Sequence, residues 1–277
     1  MKTMSSLNIA IVGLGWPGQQ HAAGIIASPD AELYAAADLG EERRTSFKTQ
    51  FDPRKVYVEL DEVLADPAVD AVVLSLPNFL HFPASLAVLQ SGKHVFCEKP
   101  PTLNAAEMRV LKEESDKRNL VYFFGRQSRF SGEMRAALEI IQAGRLGKIY
   151  HGKADWLRSR GIPQGVGGWF TDKAKSGGGA LIDLGVHALD SVWYLMGHPR
   201  PTSVSGQVFQ NFPHYAAKGA KNDVDDAGFA FIKFDNGSVI QLTATWAGIT
   251  PRIRSAFRNP ATATLIRRFM EFRRLSR

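Results

Sequence analysis

Residues 7–18 read LNIAIVGLGWPG, and this stretch indicates the fold more directly than any other part of the chain. Six mostly apolar residues that end at a glycine are typical of a buried parallel strand. Gly13, Gly15 and Gly18 then follow with the spacing G-x-G-x-x-G, and a helix is predicted from Pro17 onward. Asp38 lies twenty residues after Gly18, at the end of a second predicted strand. Together these residues predict a strand, a turn, a helix and a strand arranged to bind a pyrophosphate.

The chemistry of such a loop requires small residues and a free helix end. Gly13 permits the tight turn, Gly15 lets the backbone approach the pyrophosphate, and Gly18 allows the helix to pack closely on the strand. The helix start, with Trp16 and Pro17, offers unpaired N–H groups and the positive end of the helix dipole. The alternative interpretation is a plain strand–turn–helix unit without a ligand.

Asp38 bears on the choice of cofactor. A carboxylate at this position accepts hydrogen bonds from the ribose 2′- and 3′-hydroxyls and repels a 2′-phosphate. We therefore expect NAD to be preferred over NADP. Arg43 and Arg44 follow closely in the sequence and would weaken that preference.

The predicted elements divide the chain into two parts and a tail. Up to residue 124 short apolar strands alternate with helices, which predicts an α/β Rossmann domain with a parallel, doubly wound sheet. From residue 125 onward the pattern changes to a helix, a strand, a glycine-rich stretch, an apolar helix over 180–196 and three further strands. This second part is expected to be an α+β domain with a large, mostly antiparallel open sheet, incomplete in this chain. The expected divisions are 1–124 for NAD(P) binding, 125–247 for substrate and catalysis, and an atypical arginine-rich tail over 248–277.

Charge and cysteine content exclude several classes of protein. The net charge of +7 belongs to the tail, because residues 248–277 hold eight Arg and one acid and leave 26 basic and 26 acidic residues in the body. A neutral body is not attracted to a phosphate backbone, so no nucleic-acid partner is expected. The single cysteine, Cys97, excludes an internal disulfide and fits a reducing compartment. The apolar run near the N-terminus is too short to span a bilayer, so we expect a cytoplasmic protein without a membrane partner.

Two further motifs follow the fourth and fifth predicted strands. Residues 75–81 read SLPNFLH, and residues 93–101 read KHVFCEKPP. Ligands of doubly wound sheets bind outside the carboxyl ends of the strands. Glu98 and Lys99 are therefore predicted to lie at the cofactor crevice.

A third motif lies in the predicted apolar helix. Residues 177–190 read GGGALIDLGVHALD, so Asp183 and His187 are four residues apart and share one helical face. The structural alternatives are a helix-capping role for Asp183 and a buried, hydrogen-bonded imidazole for His187. A metal site that includes Asp190 is not expected, because no second cluster of ligands accompanies it.

In their order these motifs resemble the Gfo/Idh/MocA family of oxidoreductases, over about residues 7–247. The matching motifs are the glycine loop, P-N-x-x-H at 77–81, E-K-P at 98–100, and W…G-G-G-x-x-x-D-x-G-x-H-x-x-D over 169–190. The resemblance implies a Rossmann domain, a sheet domain whose face covers the nicotinamide, and homo-oligomers formed through that sheet. It also implies a set of site residues, with Pro77, Asn78, His81, Glu98 and Lys99 at the cofactor and Lys99, Asp183 and His187 in catalysis.

The expected reaction is the oxidation of a secondary alcohol of a polyol, sugar or sugar derivative, with the hydride passing to the nicotinamide. His187 has a suitable pKa for a general base near neutral pH. Lys99 would hydrogen-bond the substrate oxygen, and Asp183 would orient the substrate hydroxyls or the imidazole. Trp169 would line the substrate site or pack within the sheet domain.

Other functions stay open at this point. The chain could reduce other small carbonyl compounds, hold NAD and a sugar as a non-catalytic regulator, or interact with a partner through its basic tail. Lys99 and His187 favour an enzyme. Members of the family generally continue well past this length, so we favour a frameshift or truncation as the origin of residues 248–277, which would leave the chain's activity in doubt. The alternative is a natural basic amphipathic helix, over about 263–275, that binds a membrane surface or a partner.

Overall fold

A computed structural model of the chain describes residues 6–159, 161–163, 168–212 and 219–248. It contains a six-stranded sheet and a four-stranded sheet. Among these residues no helix is long and apolar enough to cross a membrane. The arginine-rich tail from residue 249 onward, with the helix expected over about 263–275, lies outside the described residues.

The first sheet is parallel, as the alternation of strands and helices predicted. Its strands are β1 Leu7–Val12, β2 Ala31–Ala37, β3 Lys55–Tyr57, β4 Ala71–Leu74, β5 His94–Cys97 and β6 Tyr122–Phe124. They lie in the order β3-β2-β1-β4-β5-β6, so the strand order reverses direction between β1 and β4. The helices that connect them are α1 Trp16–Ile26, α2 Glu41–Phe51, α3 Leu60–Ala65, α4 Asn78–Gln90 and α5 Ala105–Arg118.

Helices cover both faces of this sheet, which explains why its central strands are apolar along their whole length. Successive residues of β1 face opposite sides, because side chains alternate along a strand. Val12 belongs to a core cluster with Leu89 of α4, whereas Ile11 belongs to a second cluster with Phe47 of α2. The fold class expected from the sequence is therefore confirmed for the first sheet.

The second sheet is mixed, with two antiparallel pairings and one parallel pairing. Its strands are β7 His151–Leu157, β8 Pro201–Phe209, β9 Ala227–Phe234 and β10 Val239–Thr245, in the order β7-β10-β9-β8. The pairing of β7 with β10 is the parallel one. The other elements of this half are α6 Gly132–Gln142, α7 Lys173–Ser176, α8 Val186–Leu195 and a 3₁₀ turn over Gln127–Phe130.

One face of the second sheet is covered by α8, and the other is exposed among the described residues. Ile240 of β10 and Ile232 of β9 are buried against apolar residues of α8 such as Val192. On the opposite face Phe229 and Phe231 of β9 are exposed. The mostly antiparallel, open sheet was expected.

Two helices differ from the sequence-based prediction. The helix expected over 82–91 begins at Asn78 instead, so Pro83 lies inside α4 and has no N–H to donate to the carbonyl of Phe79. The helix expected over 180–196 consists of a π-helical turn, Leu181–Gly185, followed by α8. A π turn differs from an α-helix in its number of residues per turn, so Asp183 and His187 are not related by regular α-helical spacing.

Candidate active site

The glycine loop turns between β1 and α1, and the fold itself requires two of its three glycines. Gly13 has a φ of 93°, and a Cβ atom there would lie 2.3 Å from the carbonyl oxygen of Ser75. A Cβ atom at Gly18 would lie 2.2 Å from the carbonyl oxygen of Gly13. Gly15 differs, because its φ is −69° and the nearest atom to an added Cβ would be 3.9 Å away. The open space at Gly15 lies at the N-terminus of α1, where unpaired N–H groups attract an anion.

The Asp38 carboxylate holds the glycine loop against the connection that follows β2. Its Oδ2 accepts a hydrogen bond from the backbone N–H of Leu14 at 2.9 Å, and its Oδ1 accepts one from Gly40 at 2.8 Å. The Asp38 side chain is 7% exposed. Arg43 lies 3.5 Å from Oδ2, whereas Arg44 donates to two backbone carbonyls. The carboxylate is thus fixed beside the loop, and Oδ1 has a lone pair left for a further donor.

The P-N-x-x-H motif mainly connects backbone segments. Asn78 is buried and donates from Nδ2 to the carbonyl oxygen of Ser176, 98 residues away. The two ring nitrogens of His81 lie 2.6 Å from the carbonyl oxygen of Pro100 and 2.7 Å from that of Leu76. His81 is 1% exposed, and burial lowers its pKa. Both ring nitrogens therefore face backbone carbonyl oxygens just after β4 and β5. Neither nitrogen is left for the cofactor contact that the resemblance implied.

Glu98 connects the E-K-P motif to α1. Its Oε1 lies 2.8 Å from Nε2 of His21, and its Oε2 accepts a hydrogen bond from the backbone N–H of Lys99 at 3.1 Å. Burial raises the pKa of the Glu98 carboxyl, but the hydrogen bond and charge of His21 outweigh it, so the pKa is lowered overall. His21 was not identified from the sequence. The available signal was its position three residues after Gly18, on the same face of α1.

Lys99 meets Asp183 at the centre of the candidate site. The Nζ of Lys99 donates to Oδ1 of Asp183 at 2.9 Å and lies 3.3 Å from the carbonyl oxygen of the same residue. The other carboxylate oxygen, Oδ2, accepts a hydrogen bond from Nε1 of Trp246 at 2.9 Å. Trp246 is 1% exposed and was not identified from the sequence. A buried indole needs an acceptor for its N–H, but nothing in the sequence says which residue supplies it.

His187 lies in the first turn of α8 and lines the same cavity as Lys99. This cavity has a volume of about 250 Å³. The imidazole lies against the ring of Trp156, with 5.5 Å between the ring centroids. Burial, and then the positive charge of Lys99, lower the pKa of His187, so its ring is neutral near pH 7 and able to accept a proton. Its ring nitrogens make no hydrogen bond to any residue that the structure describes.

The π turn that carries Asp183 is held in place by Asp225, which was not identified from the sequence. Both oxygens of Asp225 accept backbone hydrogen bonds, from Gly179 at 2.8 Å and from Leu181 at 2.9 Å. A Cβ atom at Gly179 would lie 1.7 Å from the carbonyl oxygen of Asp225, so only glycine allows this approach. The available signal was an acid just before a strand, but its partners are more than forty residues away.

The remaining expected residues lie outside the Lys99–Asp183 contact. Trp16 begins α1 with Pro17 beside it and is 73% exposed. The ring of Trp169 stacks on that of Phe170, with 4.1 Å between centroids. Among the residues described, no group of His, Cys, Asp and Glu side chains is arranged to hold a metal ion.

The first sheet is parallel and doubly wound, with a glycine loop at its first helix. A lysine–carboxylate pair joins it to the second half of the chain. These features are typical of a two-part dinucleotide-dependent oxidoreductase. Residues 7–126 match the description "Oxidoreductase family, NAD-binding Rossmann fold", and residues 134–258 match the "GFO/IDH/MocA C-terminal domain". The chain belongs to the Gfo/Idh/MocA oxidoreductase family, and it is an enzyme of the dehydrogenase type. The second match extends past residue 247, where the resemblance was expected to end.

Individual relatives agree with this membership. The chain is 35% identical to the "Putative UDP-kanosamine synthase oxidoreductase subunit" of Amycolatopsis mediterranei, over 87% of this chain and 69% of that protein. It is 31% identical to the "D-glucoside 3-dehydrogenase" of Escherichia coli, over 88% of this chain and 72% of that protein. Among solved structures, GenD2 from gentamicin A biosynthesis in complex with NAD is 29% identical and superposes with a TM-score of 0.76, covering 91% of this chain and 69% of that one.

Proposed function

We propose that the protein transfers a hydride between NAD and a secondary alcohol or ketone of a polyol, sugar or sugar derivative. The observation that carries this proposal is the meeting of Lys99 with Asp183 beside a cavity that His187 also lines. The two halves of the chain supply these groups, with Lys99 just after β5 and with Asp183 and His187 on the π turn and α8. The relatives named for sugar and glucoside chemistry support the substrate class.

The three side chains divide the work of an alcohol oxidation. NAD, when bound, supplies the hydride acceptor. The neutral imidazole of His187 takes the proton from the hydroxyl oxygen while the hydride leaves the carbon that bears this hydroxyl. The ammonium group of Lys99 donates a hydrogen bond to the substrate oxygen and stabilises the negative charge that develops on it. Asp183, which is held on its other side by Trp246, fixes the position of Lys99.

The cofactor would lie along the glycine loop. Gly15 supports this proposal best, because the fold leaves room for a side chain there and the sequence nevertheless has none. Trp16 and Pro17 would flank the pyrophosphate, and Pro77 and Asn78 would lie near the nicotinamide half. Asp38 would accept a ribose hydroxyl with the remaining lone pair of Oδ1, and its charge favours NAD over NADP.

The open face of the second sheet is proposed as the contact of a homo-oligomer. Phe229 and Phe231 lie exposed on this face, and exposed apolar surface on a sheet is commonly an interaction site. The charge-neutral body argues against nucleic-acid and membrane partners. The single buried Cys97 fits a reducing, cytoplasmic location.

Binding and turnover test this function separately. NADH should raise the unfolding temperature more than NADPH does at equal concentration, because a ligand that binds only the folded state stabilises it. NADH should then accumulate from NAD with a panel of polyols and pyranosides. His187→Ala should lower kcat by about 100- to 10,000-fold, the usual contribution of a general base. Arg109→Gln on the exposed side of α5 is the control and should change neither quantity.

Three results would contradict the proposal. Stabilisation by NADPH but not NADH would reverse the cofactor preference. Binding of NADH without turnover of any substrate would favour a non-catalytic regulator. Unchanged turnover by the His187→Ala variant would remove His187 from the mechanism.

A further inference from the structure

The cavity beside Lys99 contains a cationic side chain that the proposed mechanism does not use. Arg126 lies at the end of β6, and it lines this cavity together with Lys99, His187 and Asp190. The cavity has a volume of about 250 Å³, below the range typical of drug-sized ligands, and has room for a group about the size of one sugar ring.

The carboxylates near this cavity are already paired with other cations. Lys99 is hydrogen-bonded to Asp183 at 2.9 Å. Asp190 accepts two hydrogen bonds from Arg129, at 2.7 Å to Nε and 2.5 Å to Nη2. Arg126 approaches Asp190 only to 3.6 Å, which is an ion pair without a hydrogen bond. Among the described residues that line the cavity, Arg126 is thus the cation that lacks a hydrogen-bonded carboxylate.

The guanidinium of Arg126 is held in place, but it makes no hydrogen bond to another residue in the part of the chain that the structure describes. Its Cζ lies 4.2 Å from the centroid of the Phe124 ring, which covers one side of the planar group. Its Nε is buried and has no hydrogen-bond partner in the described part of the chain. Burial, and then the neighbouring charge of Arg129, lower the pKa of Arg126. A guanidinium has five N–H donors, and leaving a buried one without an acceptor is unfavourable.

We propose that Arg126 is a specificity-determining residue that binds a carboxylate of the substrate, so that the preferred substrate is a sugar acid of the uronate type. This inference rests on the proposed function and deepens it. A planar carboxylate matches the two parallel N–H groups of a guanidinium, whereas a neutral hydroxymethyl group accepts at most one such bond with no charge assistance. The anionic end of the sugar would lie at Arg126 while the reacting hydroxyl lies between Lys99 and His187.

Three substrates that differ only at one carbon test the proposal: a hexopyranoside, the matching pyranosiduronate and the matching 6-phosphate. The wild-type protein should show the highest kcat/KM with the uronate. Arg126→Gln should lower kcat/KM for the uronate by roughly 10- to 100-fold, the usual effect of losing a charge-assisted hydrogen bond. The same variant should change kcat/KM for the neutral pyranoside by less than about threefold. Arg126→Lys, which keeps the charge but loses the fork, should lie between wild type and Arg126→Gln.

A binding measurement keeps the test informative when turnover is slow. With NADH present, the uronate should raise the unfolding temperature of the wild-type protein and of the Arg109→Gln control, but not that of Arg126→Gln. This arm reports on Arg126 even if no substrate is oxidised, so failure of the proposed function and failure of this inference are distinguishable.

Two results would overturn the assignment. If Arg126→Gln lowers kcat/KM equally for the neutral and the acidic sugar, Arg126 has no role in specificity. If the 6-phosphate is preferred over the uronate in an Arg126-dependent way, the site selects a phosphate and not a carboxylate.

Discussion

Replacement of Trp246 by Phe removes one hydrogen bond from the candidate site and leaves an aromatic ring in place. The indole Nε1 donates to Oδ2 of Asp183 at 2.9 Å, and the tryptophan is 1% exposed. A hydrogen bond to a charged group contributes about 1.5–3 kcal/mol, and the smaller phenyl ring adds a cavity penalty on the order of 1 kcal/mol. The variant should therefore lose about 2.5–4 kcal/mol of stability while keeping its fold.

The effect on catalysis should exceed what lost stability alone produces. Asp183 would keep only its contact with Lys99, so the ammonium group would be less firmly positioned at the substrate oxygen. We expect kcat/KM for the oxidation to fall by roughly 10- to 100-fold, which corresponds to about 1.4–2.7 kcal/mol in the transition state. Initial rates of NADH formation, measured well below the unfolding temperature of each variant, give this quantity.

Phe47→Leu provides the matched control. Phe47 of α2 is 1% exposed and packs in the core of the first domain with Ile11, in a cluster that contains neither Lys99 nor Asp183. Its truncation should therefore lower the unfolding temperature and leave kcat/KM unchanged. If Trp246→Phe is destabilised to the same extent as Phe47→Leu and its kcat/KM is also unchanged, Trp246 contributes only to packing, and the reasoning about Asp183 is refuted.

Three further predictions concern the loop, the base and the helix start. Gly15→Ala should fold normally but bind NADH at least about tenfold more weakly than the wild type. Gly18→Ala should fail to fold stably, because its Cβ would meet a carbonyl oxygen at 2.2 Å. Equal NADH affinity in titrations of Gly15→Ala and wild type would contradict the role of Gly15. Burial and the charge of Lys99 lower the pKa of His187, so kcat/KM should not fall as the pH is lowered to about 7. It should fall only below the ordinary histidine pKa of 6.5, as the imidazole gains a proton. A decrease in kcat/KM that begins above about pH 7 as the pH is lowered would contradict this. Asp225→Ala should cost about 2–4 kcal/mol in denaturant unfolding, because two backbone N–H groups lose a charged acceptor; a loss below about 1 kcal/mol would show that water replaces it.

Much of the first half could be predicted from the sequence because its signals are local. The apolar run before Gly13 and the regular alternation up to residue 124 indicate parallel strands with crossover helices, since buried strands and amphipathic helices differ in periodicity. The steric need for Gly13 and Gly18 also follows from one tight turn. Asp38 was correctly placed at the end of β2, although its hydrogen bonds to the loop backbone were not foreseen.

The site could be predicted only in part, because its contacts join residues that are distant in sequence. Lys99 and Asp183 were both named as site residues, but their direct hydrogen bond spans 84 positions. The partner of His21 is 77 residues away, and Trp246 reaches Asp183 across 63. No periodicity or motif spacing records such a pairing.

What the sequence determined by itself was the order of elements, the glycine loop and the identity of the reactive side chains, because backbone sterics and hydrophobic periodicity act over a few residues. What only the tertiary structure decided was which of those side chains hold the chain together and which are free for a ligand. Both ring nitrogens of His81 face backbone carbonyl oxygens, whereas the buried Nε of Arg126 has no acceptor among the described residues. For His81 the partners are brought by the packing of α4 on the ends of β4 and β5, since whether a polar group finds a partner depends on the neighbours that the fold brings to it.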